Sequence, residues 1–294
     1  MSIRTLSIRR SDRKRPFLEQ EQVIRVLSLV ALIILSCILL FPMAWMVSTS
    51  LKLPSDVFTI PIQWIPNPIA WGNYPQALQD FPFWTFLGNT VFYCISDTIL
   101  VVATSAISAY AFARLRWRGR EVVFILMLAT MMIPFPVTMI PTYLIFKWLG
   151  WLNSFKPLIL PDLTASPFYV FLLRQFFLTI PNELSEAAFV DGASHVRVFW
   201  QIVLPLAKPA LLVVAIFTFT SDWNNFIGPL IYLDDQSKYT LALGLQAFQG
   251  SQWHGAHYEL MMAAAFLMTL PMVVLFFVAQ KYFVQGITMT GSKG

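Results

Sequence analysis

Long uncharged apolar runs, separated by short polar or proline-rich stretches, set the pattern of this 294-residue chain. Residues 26–47, 122–146 and 260–279 contain no charged side chain, and 82–113 contains only Asp97. Residues 163–180 are interrupted only by Arg174, and 209–233 only by Asp222. A helix rising about 1.5 Å per residue crosses a hydrocarbon layer of about 30 Å in about 20 residues, which is close to the length of each run. The pattern predicts an all-α polytopic membrane protein with about six transmembrane helices.

The polar interval between the fourth and fifth runs has a pattern of its own. Glu183-Leu-Ser-Glu-Ala-Ala-Phe-Val-Asp-Gly-Ala193 reads as a short helix, a glycine stop and the start of a second helix. Asn182, after Pro181, is the expected N-cap, and Glu183 and Glu186 fall where carboxylates suit the positive helix end. Asp191-Gly192 breaks that helix, because Gly192 can take the left-handed conformation at no steric cost. Ser194 can cap the second helix, and Leu204-Pro205 is expected to end it.

Composition agrees with the periodicity. With 57% hydrophobic and 12% charged residues and a mean hydropathy of +0.65, a soluble domain is excluded. All but four of the 20 Lys and Arg residues fall on the side that holds both termini, the exceptions being Lys52, Lys147, Lys156 and Lys238. Cytoplasmic loops carry the basic excess, so both termini and the 182–205 interval are expected in the cytoplasm. The same bias accounts for a net charge of +5 without a nucleic-acid partner. The expected organisation is a basic cytoplasmic tail (1–25), one transmembrane domain (26–283) and a cytoplasmic C-terminal tail (284–294). The first run exceeds the 7–15 apolar residues of a signal-peptide core, so it reads as a retained helix.

The outer segments hold no soluble module. Residues 51–81 carry Pro54, Pro61, Pro66, Pro68 and Pro75 among Trp64, Trp71 and Tyr74, a composition suited to extended chain at the membrane interface. Residues 234–258 have room for one short re-entrant or surface helix. Cys37 and Cys94 lie inside apolar runs and read as packing residues. No catalytic residue, cofactor motif or metal site is expected: the chain lacks a phosphate-binding G-x-x-x-x-G-K-[S/T] loop and an H-E-x-x-H pair, and His254 and His257 read as solvated side chains. Energy for transport would then come from an ion gradient or from a separate subunit. An ion-coupled secondary transporter needs ionisable groups near the midplane, where Asp97 is the best placed. A pore driven by a detachable ATPase needs a cytoplasmic handle, which the 182–205 interval supplies.

Glu186-Ala-Ala-Phe-Val-Asp-Gly-Ala193, followed by Phe199, Ile202, Leu204-Pro205 and Pro209, resembles the EAA loop of bacterial ABC importer permeases. Pro141-x-Tyr143-Leu144, Leu158-Ile-Leu-Pro161, Phe171-Leu-Leu-Arg-Gln-Phe-Phe177, Trp223-Asn224-x-Phe226, Pro229-Leu-Ile231 and Gln280-x-Tyr282-Phe-Val-Gln-Gly-Ile287 resemble the maltose-type carbohydrate importers, specifically the shorter six-span permease. The likeness runs from about Leu87 to the C-terminus, with the loop Thr49-Ser50-Leu-Lys52 upstream. One departure is Asn225, where the family often has an acid. The resemblance implies a permease of the bacterial inner membrane that moves a sugar or polyol. It would be paired with a second permease, two ATP-binding subunits and an extracytoplasmic solute-binding protein. It also implies that Glu186, Ala187, Ala188, Asp191, Gly192, Ala193, Leu204 and Pro205 couple the chain to an ATPase. Sugars are held by aromatic faces with amide and carboxylate hydrogen bonds, so Asp222, Trp223, Asn224, Asn225 and Asp97 are candidates for the substrate path. The same groups could instead tie their helices to neighbours.

Overall fold

A computed structural model describes residues 15–250 and 257–291, with side chains over 22–248 and 257–280. Residues 1–14 of the basic tail, His254 and the last three residues of the C-terminal tail lie outside the described residues. Helix α1 (Arg15–Ser50) is followed by α2 (Asn73–Asp80), α3 (Phe83–Arg114), α4 (Arg120–Ala129) and α5 (Phe135–Trp148). Then come α6 (Lys156–Ile159), α7 (Pro167–Thr179), α8 (Asn182–Val190), α9 (His195–Val198) and α10 (Leu204–Leu206). The chain ends with α11 (Lys208–Trp223), α12 (Ile227–Tyr232), α13 (Leu241–Gly250) and α14 (Tyr258–Gly291). The fold is all-α and no strand occurs among the described residues.

The apolar runs expected as about six spans form helices of differing continuity. Three described helices are long and apolar enough to cross a membrane alone: Gln22–Ser50, α3 and Tyr258–Gln280. The 122–146 run is instead a pair, Arg120–Met132 and Phe135–Trp148, bent by 98° at Ile133-Pro134. Proline locks its own φ and has no N–H for the helical ladder, so the run breaks there despite its uniform hydropathy. The 163–180 run supplies α7, whose 13 residues reach about 20 Å. A separate 3-10 turn, Leu160–Thr164, precedes it, set off by Ala165 at φ +64°. The 209–233 run stops at Trp223. Asn224 Nδ2 donates to the Thr220 carbonyl at 2.8 Å and Asn225 Oδ1 accepts from Gly228 N–H at 3.1 Å, so side-chain bonds replace the backbone ladder before α12.

Helix α3 is the centre of the molecule, packing chiefly against α7 and α11. Ser105, Ala109 and Ala113, four residues apart and buried, form a stripe of small side chains along it. Such a stripe lets neighbouring backbones approach closely, which matters where lipid removes the hydrophobic drive between helices. Its C-terminal half joins one core cluster with Leu173 and Phe177 of α7, Val198 of α9 and Val214 of α11. Its N-terminal half joins a second, with Phe86, Tyr93, Trp223, Leu233 and Leu241.

Residues 51–81 and the described part of 234–258 are more structured than expected. Asn73 Nδ2, at the start of α2, donates to the Ser50 and Lys52 carbonyls at 2.9 and 2.8 Å, and the Lys52 ammonium lies 4.3 Å over the Trp45 ring. Burial lowers the Lys52 pKa, and Asp56 nearby partly offsets this. Trp64 packs edge-on against Trp45 at 5.4 Å, so this proline-rich stretch folds back on the end of α1. The short helix foreseen in 234–258 is α13, whose Leu241 N–H is capped by Thr90 Oγ1 at 2.8 Å. His257 is not simply solvated: its Nδ1 lies 2.8 Å from the buried Glu259 carboxylate.

Candidate functional site

The 182–205 interval folds as the sequence reads in outline. Helix α8 ends in two capping bonds, Ala193 N–H to the Ala188 carbonyl at 2.9 Å and Gly192 N–H to the Phe189 carbonyl at 3.0 Å. These are the paired bonds of a Schellman stop, which needs a left-handed residue, and Gly192 has φ +80°. A Cβ at Gly192 would meet nothing within 4 Å, so glycine is required there by backbone conformation and not by crowding. Ser194 Oγ then accepts Arg197 N–H at 3.3 Å and starts α9.

Two local expectations change. Pro181, not Asn182, occupies the N-cap; Asn182 is the first helical residue and its Oδ1 accepts from Arg114 Nη1. Leu204-Pro205 does not end the second helix. Phe199–Val203 widens into a π turn, α10 continues to Leu206, and the chain bends by 77° before α11. Pro205 has no N–H to give the Gln201 carbonyl, which accounts for the loosened register just upstream.

The residues expected to couple to an ATPase divide into two faces. Glu186, Ala187, Asp191, Gly192 and Pro205 are exposed, while Ala188, Ala193 and Leu204 are half-buried against the core cluster that holds Leu173 and Val198. Ser185 is buried. Leu184, Phe189, Val190 and Val196 stand out to solvent beside the carboxylates, with Val190 88% exposed. A cleft of about 240 Å³ runs between the two helices, lined by Ala188, Asp191, Arg197, Gln201 and Ile202 among others. Apolar anchors rimmed by charge are the composition of a protein-docking surface.

Three of the five path candidates, Asp97, Asp222 and Asn225, come together although Asp97 lies in a separate apolar run from the other two. Asp97 is near the middle of α3, and its carboxyl lies against those of Asp222 on α11 and Asp162 in the Leu160–Thr164 turn. Tyr93, one turn from Asp97, donates its hydroxyl to Asp222 Oδ1 at 3.1 Å and accepts from Asn225 Nδ2 at 3.0 Å. Tyr93, Asp97 and Asp222 are all buried. Among the described residues no amide or hydroxyl donates to Asp97 Oδ1 or Asp222 Oδ2, so bonding between these carboxyls needs a proton on one of them. Trp223 is 2% exposed, stacks on Phe219 at 5.6 Å and donates Nε1–H to the Met268 carbonyl at 3.2 Å. Asn224 alone of the set is exposed. Sequence reasoning missed Tyr93 and Asp162; each is a polar residue inside or beside an apolar run, a signal it could have used. Among the described residues no group of acidic, His or Cys side chains is arranged to hold a metal.

Comparison with known proteins gives a consistent result. The family described as binding-protein-dependent transport system inner membrane component matches residues 101–289. The arabinooligosaccharides transport system permease protein AraQ of Halalkalibacterium halodurans is 36% identical over 212 residues, 72% of this chain and 75% of that protein. The diacetylchitobiose uptake system permease protein NgcG of Streptomyces coelicolor is 33% identical over 85% of this chain and 83% of its own length. The sn-glycerol-3-phosphate transport system permease protein UgpE of Yersinia enterocolitica is 35% identical, covering 88% of this chain and 94% of its own. A chain of a bacterial ABC transporter involved in import of the acidic polysaccharide alginate superposes with a TM-score of 0.79 at 26% identity, over 90% of this chain and 98% of that one. A chain of the alginate transporter in complex with a pentasaccharide-bound periplasmic protein superposes at 0.67 with 16% identity, over 91% and 96%, a likeness of fold alone.

Proposed function

From the premise that this chain belongs to the binding-protein-dependent transport system inner membrane components, and so is a multi-pass inner-membrane permease subunit of an ABC importer, we propose that it carries a sugar or related polyol and is driven through the α8–α9 pair. Relatives named for arabinooligosaccharides, diacetylchitobiose and sn-glycerol-3-phosphate support a hydroxyl-rich solute. The observation that carries the coupling is the glycine-stopped helix pair, whose face of Glu186, Phe189 and Val190 is exposed while Ser185 and Ala188 on the opposite side are turned to the core. That arrangement suits a rigid lever held in a cleft of an ATP-hydrolysing subunit, with ATP hydrolysis on the partner and none on this chain. Partners in the reading are a second permease forming a heterodimer, two such ATPases, an extracytoplasmic solute-binding protein and the bilayer. Both termini and the 182–205 interval face the cytoplasm in this reading.

The polar centre supplies chemistry that fits the solute. The clustered Asp97, Asp162 and Asp222 carboxyls are groups that sugar hydroxyls can hydrogen-bond when the path opens, and exposed Asn224 offers an amide at the end of α11. Trp223 acts by holding that end of α11 in place, since its ring is enclosed. An ion-coupled secondary transporter, the alternative reading, is not favoured by the family. Detergent extraction of the tagged chain is expected to bring down an ATPase and a second permease. In proteoliposomes the complex should import labelled sugar only with ATP inside and binding protein outside. Uptake driven by a proton gradient without ATP would overturn the reading.

A further inference from the structure

The C-terminal end of α3 holds both helices of the coupling pair. Arg114, its last residue, donates Nη2–H to the Phe177 and Ile180 carbonyls at 2.6 and 2.5 Å, and Nη1–H to Asn182 Oδ1. One guanidinium fork therefore fixes the joint at which α8 leaves α7, adding a second bond to the Phe177 carbonyl, which also accepts Ile180 N–H at 3.3 Å, and satisfying the Ile180 carbonyl that the end of α7 leaves over. One turn earlier, Tyr110 donates its hydroxyl to the His195 carbonyl at 3.2 Å, the first residue of α9, and packs on the Phe199 ring at 5.0 Å. Tyr110 and Arg114 are four residues apart and so share a face of the helix. They grip the pair on either side of the Gly192 bend.

The covalent routes from the pair into the membrane are interrupted. Toward α11 the chain crosses the π turn and the 77° bend. Toward α7 it crosses the extended Ile180-Pro181 joint, and α7 itself begins only after the left-handed Ala165. Helix α3 has no such break: its 32 residues contain no proline, and its middle carries Tyr93 and Asp97 against Asp222. A rod passes displacement on, whereas hinges absorb it. We propose that Tyr110 and Arg114 are the positioning residues that transmit movement of the α8–α9 pair to the polar centre, with α3 as the transmitting element. This deepens the proposed function and rests on it.

The experiment reconstitutes the whole importer with its binding protein and measures ATP hydrolysed per solute imported. Loss of the charge-assisted fork in Arg114→Gln is expected to raise that ratio about tenfold, with ATPase activity itself within about twofold of wild type. Arg114→Lys, which keeps the charge but not the fork, restores part of the coupling. Tyr110→Phe and Asn182→Ala each remove one bond and are expected to raise the ratio about two- to fivefold. These two mild variants decide the matter if Arg114→Gln does not assemble. A purely structural role lowers uptake and hydrolysis together and leaves the ratio unchanged; an unchanged ratio in all variants overturns the proposal. Wild-type complex that shows no ATP-dependent uptake removes the proposed function itself, a result separable from an unchanged ratio.

Discussion

Tyr93 holds the polar centre together with one hydroxyl, donating to Asp222 and accepting from Asn225 across two helices. Inside lipid an inter-helix hydrogen bond contributes modestly because the unfolded helices find other partners, so Tyr93→Phe should cost the folded chain about 0.5–2 kcal/mol. A thermal melt of the purified complex should fall by a few degrees, and an unshifted melt would argue that the hydroxyl is idle. Which residues could be read in advance follows from the range of their interactions. Gly192 and Ser194 were legible because their bonds close within five residues along the chain. Tyr93, Asp162, Tyr110 and Arg114 were not, because their partners lie on other helices that no sequence period reports. Asn182 was misplaced by one residue, since Pro181 takes the cap position and Arg114 claims the asparagine oxygen. Trp223 was expected at the path and is enclosed, a difference of burial that hydropathy cannot resolve.

At the scale of elements, the Gly192 stop sets the angle between α8 and α9. A Cβ in the left-handed region costs about 1–2 kcal/mol for most residues and less for Asn, while steric room is ample here. Uptake should therefore decline in the order Gly192, Gly192→Asn, Gly192→Ala, Gly192→Val when measured in cells with equal membrane amounts of each variant. Equal uptake by the Val variant would show that the bend is not needed. The apolar runs gave the existence of the helices well and their continuity poorly. Pro134 turns one run into a pair bent by 98°, and the side chains of Asn224 and Asn225 end α11 early. Hydropathy averages over such single residues, which is why 163–180 read as one span while the structure makes a 13-residue helix preceded by a separate turn.

For the whole molecule, the asymmetry of basic residues is the basis of the proposed orientation, on which the proposed mechanism rests. Arg114 ends α3, Arg116 and Arg118 follow it and Arg120 starts α4, and Arg114 places this basic cluster beside the α8–α9 pair. A cysteine at the exposed position 190, in a chain with Cys37 and Cys94 replaced, should react with an impermeant maleimide in inside-out vesicles and stay unlabelled in spheroplasts. Labelling from outside would invert the molecule. The most direct test of the account reverses one charge on the proposed docking face. Proteoliposomes holding the importer with Glu186→Lys should keep ATP hydrolysis or lose it through weaker ATPase docking, and in either case import solute at least about tenfold more slowly with normal membrane insertion. Import at the wild-type rate would contradict the claim that the α8–α9 pair receives the power stroke.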